Sequence, residues 1–189
     1  MGKITVERCE IEGLCVITPT VFKDDRGYFV ETYNQNDFKE AGLDMVFVQD
    51  NHSYTIKKGT IRGIHFQNNP KPQIKLVRCV RGRVLDVVVD LRKDSPTYKK
   101  WLAVELSEEN RKQIWIPEGY GHAFLTLEDN CEIQYKVSEF YYPEFDRAIA
   151  WDDEEINVNW NIDNPIVSEK DKNAPKLRDS DVNFVKESK

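Results

Sequence analysis

Short runs of β-branched and aromatic residues, each ended by Gly, Asn, Asp or Pro, follow one another from Leu14 to Val137. This pattern constrains the fold more than any other feature, because it is typical of a β-sandwich or β-barrel. The Arg81-Gly82 pair separates two strong runs and indicates a hairpin turn. We therefore predict an all-β protein, with strands at residues 14–18, 28–33, 60–66, 73–80, 83–91, 101–106 and 131–137.

Helical signals are few. Residues 36–41 predict one short helix, with Asn36 as its N-cap and Gly42 as its C-terminal stop. A further helical turn is predicted to begin at Ser107. The helices are therefore expected at the periphery of a β-rich core.

The C-terminal part of the sequence has a different character. After Pro143 the periodicity is lost, which predicts irregular or partly helical structure packed on the strands. The residues from Leu177 onward are polar and charged, and we expect this tail to fray. A chain of 189 residues is of the size of one domain, which we place at residues 1–189.

Composition excludes several classes of function. The net charge of -6 argues against an extended surface for nucleic acid or anionic membrane, which needs clustered Lys and Arg. No run approaches the roughly 20 apolar residues of a membrane span, and residues 1–12 lack the apolar core of a signal peptide. We therefore expect the protein to lie in the cytoplasm. The four cysteines form no CxxC pair and lie in apolar contexts, so buried free thiols are expected at Cys9, Cys15, Cys79 and Cys131.

Two stretches place histidine among glycine and proline: GTIRGIHFQ at 59–67 and PEGYGHAF at 117–124. They resemble the two motifs of the cupins, which are jelly-roll β-barrels. Metal-binding cupins have HxH followed by Glu in the first motif, whereas Gln67 replaces the second His here and no Glu follows before the next strand. His65 and His122 alone make a poor metal site, because a transition metal held by imidazole normally needs three protein ligands. We therefore expect no metal.

A longer resemblance covers nearly the whole chain. The stretches that carry it are DDRGYFVETY (24–33), QDNHSYTIKKGTIRGIHFQ (49–67), PQIKLVRCVRGRVLDVVVDLRKDSPTY (72–98), WIPEGYGHAFLTL (115–127), EIQYKVSEFYYP (132–143) and SEKD (168–171). In this order they resemble the dTDP-4-dehydrorhamnose 3,5-epimerase family. The sequence has YGHAF where members of that family often have AHGF. The resemblance implies a dTDP-4-keto-6-deoxyglucose-type substrate, epimerised to dTDP-4-dehydro-L-rhamnose without a cofactor.

This chemistry requires a particular set of groups. A C4 ketone acidifies the protons on C3 and C5, so each inversion needs a base on one face and an acid on the other. The enolate oxygen needs a cation or a hydrogen-bond donor. The resemblance implies His65 as base, Asp171 as its carboxylate partner, Lys75 at the enolate and Tyr135 as acid. In CEIQYKV, Tyr135 alternates in step with Cys131, Ile133 and Val137, which independently predicts that it faces inward.

The nucleotide half of the substrate needs cations for the diphosphate and aromatic or amide groups for the base. Arg62 is the leading candidate for the diphosphate. The resemblance further implies a homodimer, in which an N-terminal strand joins the neighbour's sheet and brings residues to the nucleotide. The binding residues that it implies, besides Arg62, are Arg26, Phe29, Glu31, Gln49, Asn51, Tyr142, Lys170 and, as a binding or supporting residue, His122.

Taken one by one, the same residues have plainer interpretations. His65 beside glycine fits a structural histidine, Lys75 fits an edge residue that extends to solvent, and Arg26 after two aspartates fits a solvated turn. At the level of function, the alternatives are an epimerase of a related nucleotide sugar that inverts C3 or C5 alone, a non-catalytic sugar-nucleotide-binding cupin, and a metal-dependent cupin oxygenase or isomerase.

Overall fold

The computed structural model describes residues 3–186, and strands dominate it, as predicted. They are β1 (Ile4–Arg8), β2 (Cys15–Pro19), β3 (Val21–Asp24), β4 (Gly27–Val30), β5 (Gln49–Thr55), β6 (Thr60–Gln67), β7 (Lys75–Arg81), β8 (Arg83–Asp90), β9 (Trp101–Ser107), β10 (Gln113–Ile116), β11 (Tyr120–Thr126), β12 (Cys131–Val137), β13 (Asp146–Ala148) and β14 (Ile166–Val167). The helices are α1 (Gln35–Glu40), α2 (Glu169–Lys172) and a 3-10 turn at Leu177–Asp179.

Two large sheets face each other. One has the order β1-β2-β10-β7-β12-β5, and the other has the order β13-β6-β11-β8-β9 with β14 added in parallel to β6. Val77 and Ile133 of the first sheet pack with Val84 and Val88 of the second in one buried cluster. Strands β3 and β4 form a separate two-stranded hairpin. The all-β, cupin-type expectation is confirmed.

The outer faces of both sheets are also covered. Phe38 of α1 packs with Leu76 and Trp115 on the first sheet. The chain after β13 packs on the second sheet, where Trp160 and Phe184 join the cluster around Ile64. Each sheet is thus apolar on both faces near its centre, which explains why several strands read as continuous apolar runs rather than as strict alternations.

The hairpin predicted at Arg81-Gly82 is wrong. Strand β7 pairs with β10 and β12, whereas β8 pairs with β9 and β11, so the turn carries the chain from one sheet to the other. Gly82 has φ +73°, and a Cβ there would lie 2.8 Å from the Cys131 sulfur. The residue pair does mark a tight turn, but a local turn signal does not specify which strands pair across it.

The helix predicted at 36–41 exists with a different start. It spans Gln35–Glu40, and its N-cap is Asn34, whose side chain accepts a hydrogen bond from the Asn36 N–H. Gly42 follows the helix at φ +79°, in agreement with the predicted stop. The turn after Ser107 does not become a helix, because Asn110 Oδ1 instead accepts hydrogen bonds from the backbone N–H groups of Ser107 and Lys112.

The expectation of a frayed tail is wrong for residues 177–186. Leu177, Val182 and Phe184 are buried, and the Phe184 ring lies 5.8 Å from that of Phe66 on β6. The buried Asp153 carboxylate accepts a hydrogen bond of 2.7 Å from the Leu177 N–H. Three apolar side chains spaced among polar ones were enough to anchor the segment. Residues 187–189 of the predicted tail lie outside the described residues.

The irregular C-terminal part and the free thiols agree with the predictions. After Pro143 the chain is irregular, with short strands and helical turns packed on the second sheet. The cysteines are free thiols; Cys15, Cys79 and Cys131 are buried, and Cys9 is partly buried. Within residues 3–186 there is no helix long and apolar enough to cross a membrane.

The packing of the tail gives a first prediction. Phe184→Ala should lower the free energy of unfolding by about 3 kcal/mol, because it removes a buried aromatic side chain and leaves a cavity. Val185→Ala, at an exposed neighbouring position, is the matched control and should change it by less than about 0.5 kcal/mol. Urea denaturation measures both values. Equal, small effects of the two substitutions would mean that the tail does not pack on β6.

Candidate active site

A cavity of about 410 Å³ opens between the two sheets. Strands β5, β7 and β12 line it from one sheet, β6, β11 and β13 line it from the other, and Lys170 of α2 lies at its margin. Eight residues predicted from the sequence are part of this lining: His65, Lys75, Tyr135, Gln49, Asn51, Arg62, His122 and Lys170. The cavity is thus built from both halves of the fold.

His65 and Asp171 form the predicted pair. His65 Nε2 lies 2.6 Å from Asp171 Oδ1, and the Gly63 N–H donates to Asp171 Oδ2 at 3.3 Å. The His65 side chain is 33% exposed, whereas that of Asp171 is 3% exposed, so the imidazole faces the cavity and the carboxylate lies behind it. Burial alone would raise the pKa of Asp171, but the hydrogen bond and charge of His65, with the Gly63 and Ser168 hydrogen bonds, keep that pKa below its usual value.

The parallel pairing of β14 with β6 explains how residues so distant in sequence meet. Ile166 pairs with Thr60 and Val167 with Ile61, so the chain leaves β14 in the direction of His65. Ser168 then caps α2 by accepting a hydrogen bond of 3.2 Å from the Asp171 N–H. This N-cap orients the first turn of the helix and places the Asp171 carboxylate under the imidazole.

Lys75 begins β7, which lies between β10 and β12 in the centre of its sheet. Its interpretation as an edge residue that extends to solvent is therefore wrong. The side chain is 8% exposed. Burial lowers its pKa to about 8, against the opposing effects of Asp146 and Asp86. The ammonium can therefore donate hydrogen bonds inside the cavity at neutral pH.

Tyr135 faces inward, as the alternation in β12 predicted. Its ring packs against the cluster between the sheets, and its residue lines the cavity. Burial raises the pKa of the phenol and Asp146 raises it further, while Arg62 opposes the shift. The phenol is therefore a protonated donor at neutral pH. Because β12 and β6 belong to facing sheets, Tyr135 and His65 reach the cavity from different sides.

The polar residues around these groups are held by hydrogen bonds. Arg62 Nε donates to Thr55 Oγ1 at 3.0 Å, which fixes its guanidinium at the cavity. The Gln49 amide donates to Asn51 Oδ1 at 2.9 Å along β5. Lys170 Nζ lies 2.6 Å from Asp146 Oδ2. Arg62, Lys170, Gln49 and Asn51 are therefore held in fixed positions around the cavity.

Besides Asp171, which lies behind His65, four predicted residues lie outside the cavity lining. Arg26 is paired with Asp24 at 2.6 Å on the β3–β4 hairpin, Phe29 on the same hairpin is exposed, and Glu31 accepts a hydrogen bond of 3.3 Å from Asn34. Tyr142 points elsewhere, with the Lys71 ammonium 4.8 Å from its ring centre. Within a single chain, the structure does not bring these four to His65.

Sequence reasoning missed three residues. Tyr141, rather than its neighbour Tyr142, lines the cavity, and its hydroxyl lies 3.4 Å from Asp146 Oδ2. Asp86 lies 2.8 Å from His122 Nε2. A signal for Asp86 was present, since it alternates with Val84 and Val88 at inward positions of β8. No local pattern marks Asp146 or distinguishes Tyr141 from Tyr142.

Gln67, at the second ligand position of the cupin motif, has a structural task. Its side-chain oxygen accepts a hydrogen bond of 2.9 Å from the Tyr142 N–H, and its amide donates to the Phe140 carbonyl at 3.1 Å. It therefore holds the segment that carries Tyr141. Across residues 3–186, no group of three or more His, Cys, Asp or Glu side chains is arranged to hold a metal ion.

A family model described as dTDP-4-dehydrorhamnose 3,5-epimerase matches residues 8–179. The chain belongs to this family. A relative of that description from Methanothermobacter thermautotrophicus is 48% identical over 185 residues, covering 96% of this chain and 99% of the relative. The structure is similar to that of dTDP-4-dehydrorhamnose 3,5-epimerase from Bacillus anthracis with TDP and PPi bound, with TM-score 0.90, 42% identity and coverage of 92% and 99% of the two chains.

A second solved member is the dTDP-6-deoxy-D-glucose-3,5-epimerase of Legionella pneumophila in complex with dTDP-4-keto-L-rhamnose. It has TM-score 0.90 and 36% identity, and the match covers 94% of this chain and 95% of that one. The family resemblance read from the sequence motifs is therefore confirmed over nearly the whole chain.

The burial of Lys75 predicts a conflict between stability and function. The pKa of Lys75 is about 8 in the folded protein, below the ordinary lysine value of 10.5. Below pH 8 the buried charge therefore lowers the free energy of unfolding by its full amount. This loss becomes smaller as the pH rises from 8 to 10.5. Lys75→Met should therefore raise the free energy of unfolding at pH 7 by about 2–3 kcal/mol, and this gain should shrink between pH 8 and 10. Urea denaturation at several pH values measures it.

Lys100→Met, at an exposed lysine, is the control for this experiment. Its effect should stay within about 0.5 kcal/mol and should not change with pH over the same range. If Lys75→Met instead lowers the free energy of unfolding at pH 7 relative to the control, the assignment of a buried ammonium to Lys75 is contradicted.

Proposed function

We propose that this protein inverts C3 and C5 of a dTDP-4-keto-6-deoxyglucose-type nucleotide sugar, giving dTDP-4-dehydro-L-rhamnose. One observation carries the proposal: the His65–Asp171 pair and the Tyr135 phenol reach one cavity from facing sheets, and the Lys75 ammonium lies at the same cavity. A base, an acid on another side and a cation for the enolate are the groups that epimerisation beside a ketone requires.

The first half of the reaction is proton removal. Because Nε2 of His65 is hydrogen-bonded to Asp171, Nδ1 carries the lone pair that takes the proton from C3 or C5. The electron pair of that C–H bond moves to the C4 ketone, which becomes an enolate. Asp171 stabilises the imidazolium, and the Lys75 ammonium stabilises the enolate oxygen.

The second half is proton return from the other side. The Tyr135 hydroxyl gives its proton to the carbon, the enolate electrons form the new C–H bond, and the ketone is restored. The resulting phenolate and imidazolium exchange protons with solvent before the second carbon reacts in the same way. General acid–base groups of this kind contribute about 10²–10⁴ in rate each.

The nucleotide is assigned to the residues at the cavity mouth. Arg62 supplies a positive charge for the diphosphate, and Gln49, Asn51 and Lys170 supply further donors. The exposed Tyr141 ring presents a flat apolar face suited to a base. These assignments agree with the chemistry of a dTDP-sugar.

The proposal includes a homodimer that completes the nucleotide site. Among the described residues, β5 is the edge of its sheet, and its residues line the cavity. Addition of the neighbour's β3–β4 hairpin at this edge would bring Arg26, Phe29 and Glu31 to the cavity, which they do not reach within one chain. The hairpin and this edge both expose large apolar side chains: Phe22, Tyr28 and Phe29 on one, and Val48, Tyr54 and Ile56 on the other. The N-terminal strand exchange implied by the family resemblance would then involve this hairpin rather than β1, which pairs with β2 of its own chain.

We place the protein in the cytoplasm as part of the same proposal. The support is the presence of four free cysteines and the absence of any disulfide among them. Free thiols of this kind are typical of a reducing compartment.

The reaction predicts a specific isotope pattern. With dTDP-4-keto-6-deoxyglucose in deuterated buffer, proton NMR should show deuterium entering both C3 and C5. His65→Ala should slow both exchanges by about 10²–10⁴. His52→Ala is the matched control, because His52 is a histidine on β5, in the other sheet, and does not line the cavity. The His52→Ala protein should exchange both protons at the native rate.

Different results identify the alternatives. Exchange at one carbon alone would replace the proposal with a C3-only or C5-only epimerase. No exchange with the native protein would contradict epimerase activity on this substrate and favour a binding function. Tyr135→Phe should still exchange protons through His65 but form far less inverted product, which separates the roles of acid and base.

A subunit-mixing experiment tests the shared site. Arg26→Glu disables the hairpin and His65→Ala disables the cavity, so each pure variant should have little activity. When the two variants are unfolded, mixed and refolded together, their subunits should pair at random. Half of the dimers then contain one variant of each kind, with one of their two sites intact, so about a quarter of the native activity should return.

The control is a mixture of His65→Ala with Lys75→Met, which are substituted within the same cavity. Each subunit then has a defective cavity, so this mixture should regain no epimerase activity. Failure of the Arg26→Glu mixture to regain activity, together with a monomeric mass in sedimentation, would rule out the shared site.

A further inference from the structure

Asp86 is a charged residue in an apolar part of the interior. It lies on β8 at 0% exposure, between the inward-facing Val84 and Val88. One carboxylate oxygen, Oδ2, is 2.8 Å from His122 Nε2. The other oxygen, Oδ1, has no hydrogen-bond partner within residues 3–186. A buried carboxylate that is only half satisfied opposes folding, so its presence requires another explanation.

Lys75 lies on β7, in the sheet that faces β8. It shares the inward side of β7 with Val77 and Cys79, which pack in the same cluster as Val84 and Val88. The ammonium and the Asp86 carboxylate therefore enter the same space between the sheets. Asp86 is one of the two carboxylates whose charge favours the protonated form of Lys75.

The other charges at the cavity are largely committed to partners. Asp146 shares its charge with Lys170 at 2.6 Å, and Asp171 is bound to His65. The remaining titratable side chains that line the cavity are Arg62 on β6, His122 on β11, Tyr135 on β12 and Tyr141 before β13. Burial keeps the Tyr135 phenol protonated, and Arg62 adds positive charge, which disfavours the Lys75 ammonium. Within residues 3–186, Asp86 forms an ion pair with His122 but none with a lysine or arginine.

We propose that Asp86 is a positioning residue of the reaction: held in place by His122, it supplies the buried negative charge that keeps Lys75 as an ammonium at the enolate site. This inference rests on the proposed function. His122 donates its Nε2 proton to Asp86 and leaves the carboxylate charged. It is not a second acid for the opposite face, because it pairs directly with His65 across neighbouring strands of the same sheet.

The test measures Lys75 itself, so that it does not depend on turnover. In protein labelled with ¹³C at the lysine ε-carbons, the Lys75 signal is assigned by comparison with Lys75→Arg, and its titration midpoint is followed by NMR. Asp86→Asn should move the midpoint down by roughly half a pH unit or more, since a nearby negative charge has been removed. Asp86→Glu retains the charge and should keep the midpoint near that of the native protein.

Asp90→Asn is the matched control. Asp90 is also 0% exposed on β8, but its carboxylate is bound by Arg92 and Ser95 away from the cavity. This substitution should leave the Lys75 midpoint unchanged even where it lowers stability. If Asp86 has only a structural role, Asp86→Asn should also leave the Lys75 titration midpoint unchanged. That result would overturn the proposal.

A second measurement applies if Asp86→Asn does not fold. In native protein labelled at the aspartate carboxyl carbons, Asp86 should show the chemical shift of a carboxylate at pH 7; a protonated Asp86 at that pH would also overturn the proposal. In kinetics, the alkaline limb of kcat/KM should move to lower pH in Asp86→Asn and return in Asp86→Glu. Absence of epimerase activity in the native protein would refute the proposed function, while the NMR midpoints would still decide the role of Asp86.

Discussion

The hydrogen bond between His65 and Asp171 depends on more of the molecule than any other contact in the site. It joins β6, which lies between β13 and β11 in one sheet, to a helix of four residues near the end of the chain. That helix reaches His65 because β14 pairs in parallel with β6 and because Ser168 caps its first turn. The buried C-terminal segment holds the same region against the sheet. The Asp171 carboxylate that orients the His65 imidazole is therefore held by the packing of the core.

Charge inside the barrel is the second constraint. The space between the sheets is apolar at one end and contains Lys75, Asp86, His122 and Asp146 at the other. Burial of these groups opposes folding, and the lowered pKa of Lys75 records part of that cost. The same burial strengthens every charge interaction with a bound enolate, because little water screens it. Stability and catalysis thus make opposite demands on one small set of side chains.

Particular elements show how far sequence patterns extend. Alternation in β12 correctly placed Tyr135 inward, and glycine after α1 correctly ended the helix. The Arg81-Gly82 signal located a turn but not its topology, since β7 and β8 pair with different neighbours. The C-terminal segment was predicted to fray because most of its residues are polar, although Leu177, Val182 and Phe184 are buried in the structure. Tyr141 and Tyr142 are adjacent in a loop, where no periodicity tells which ring faces the cavity.

The sequence by itself determined the β-rich class, half of the strands and the family, and it supplied the residues that we propose as base, acid, cation and carboxylate. These follow from local alternation and from motifs, which depend on residues close together along the chain. Only the tertiary structure decided that Lys75 is central and buried, that Asp86 and Asp146 share its surroundings, and that Arg26 and Phe29 lie away from the cavity of their own chain. Burial and electrostatic coupling are properties of strands that are distant in sequence, so they exist only once the two sheets have packed.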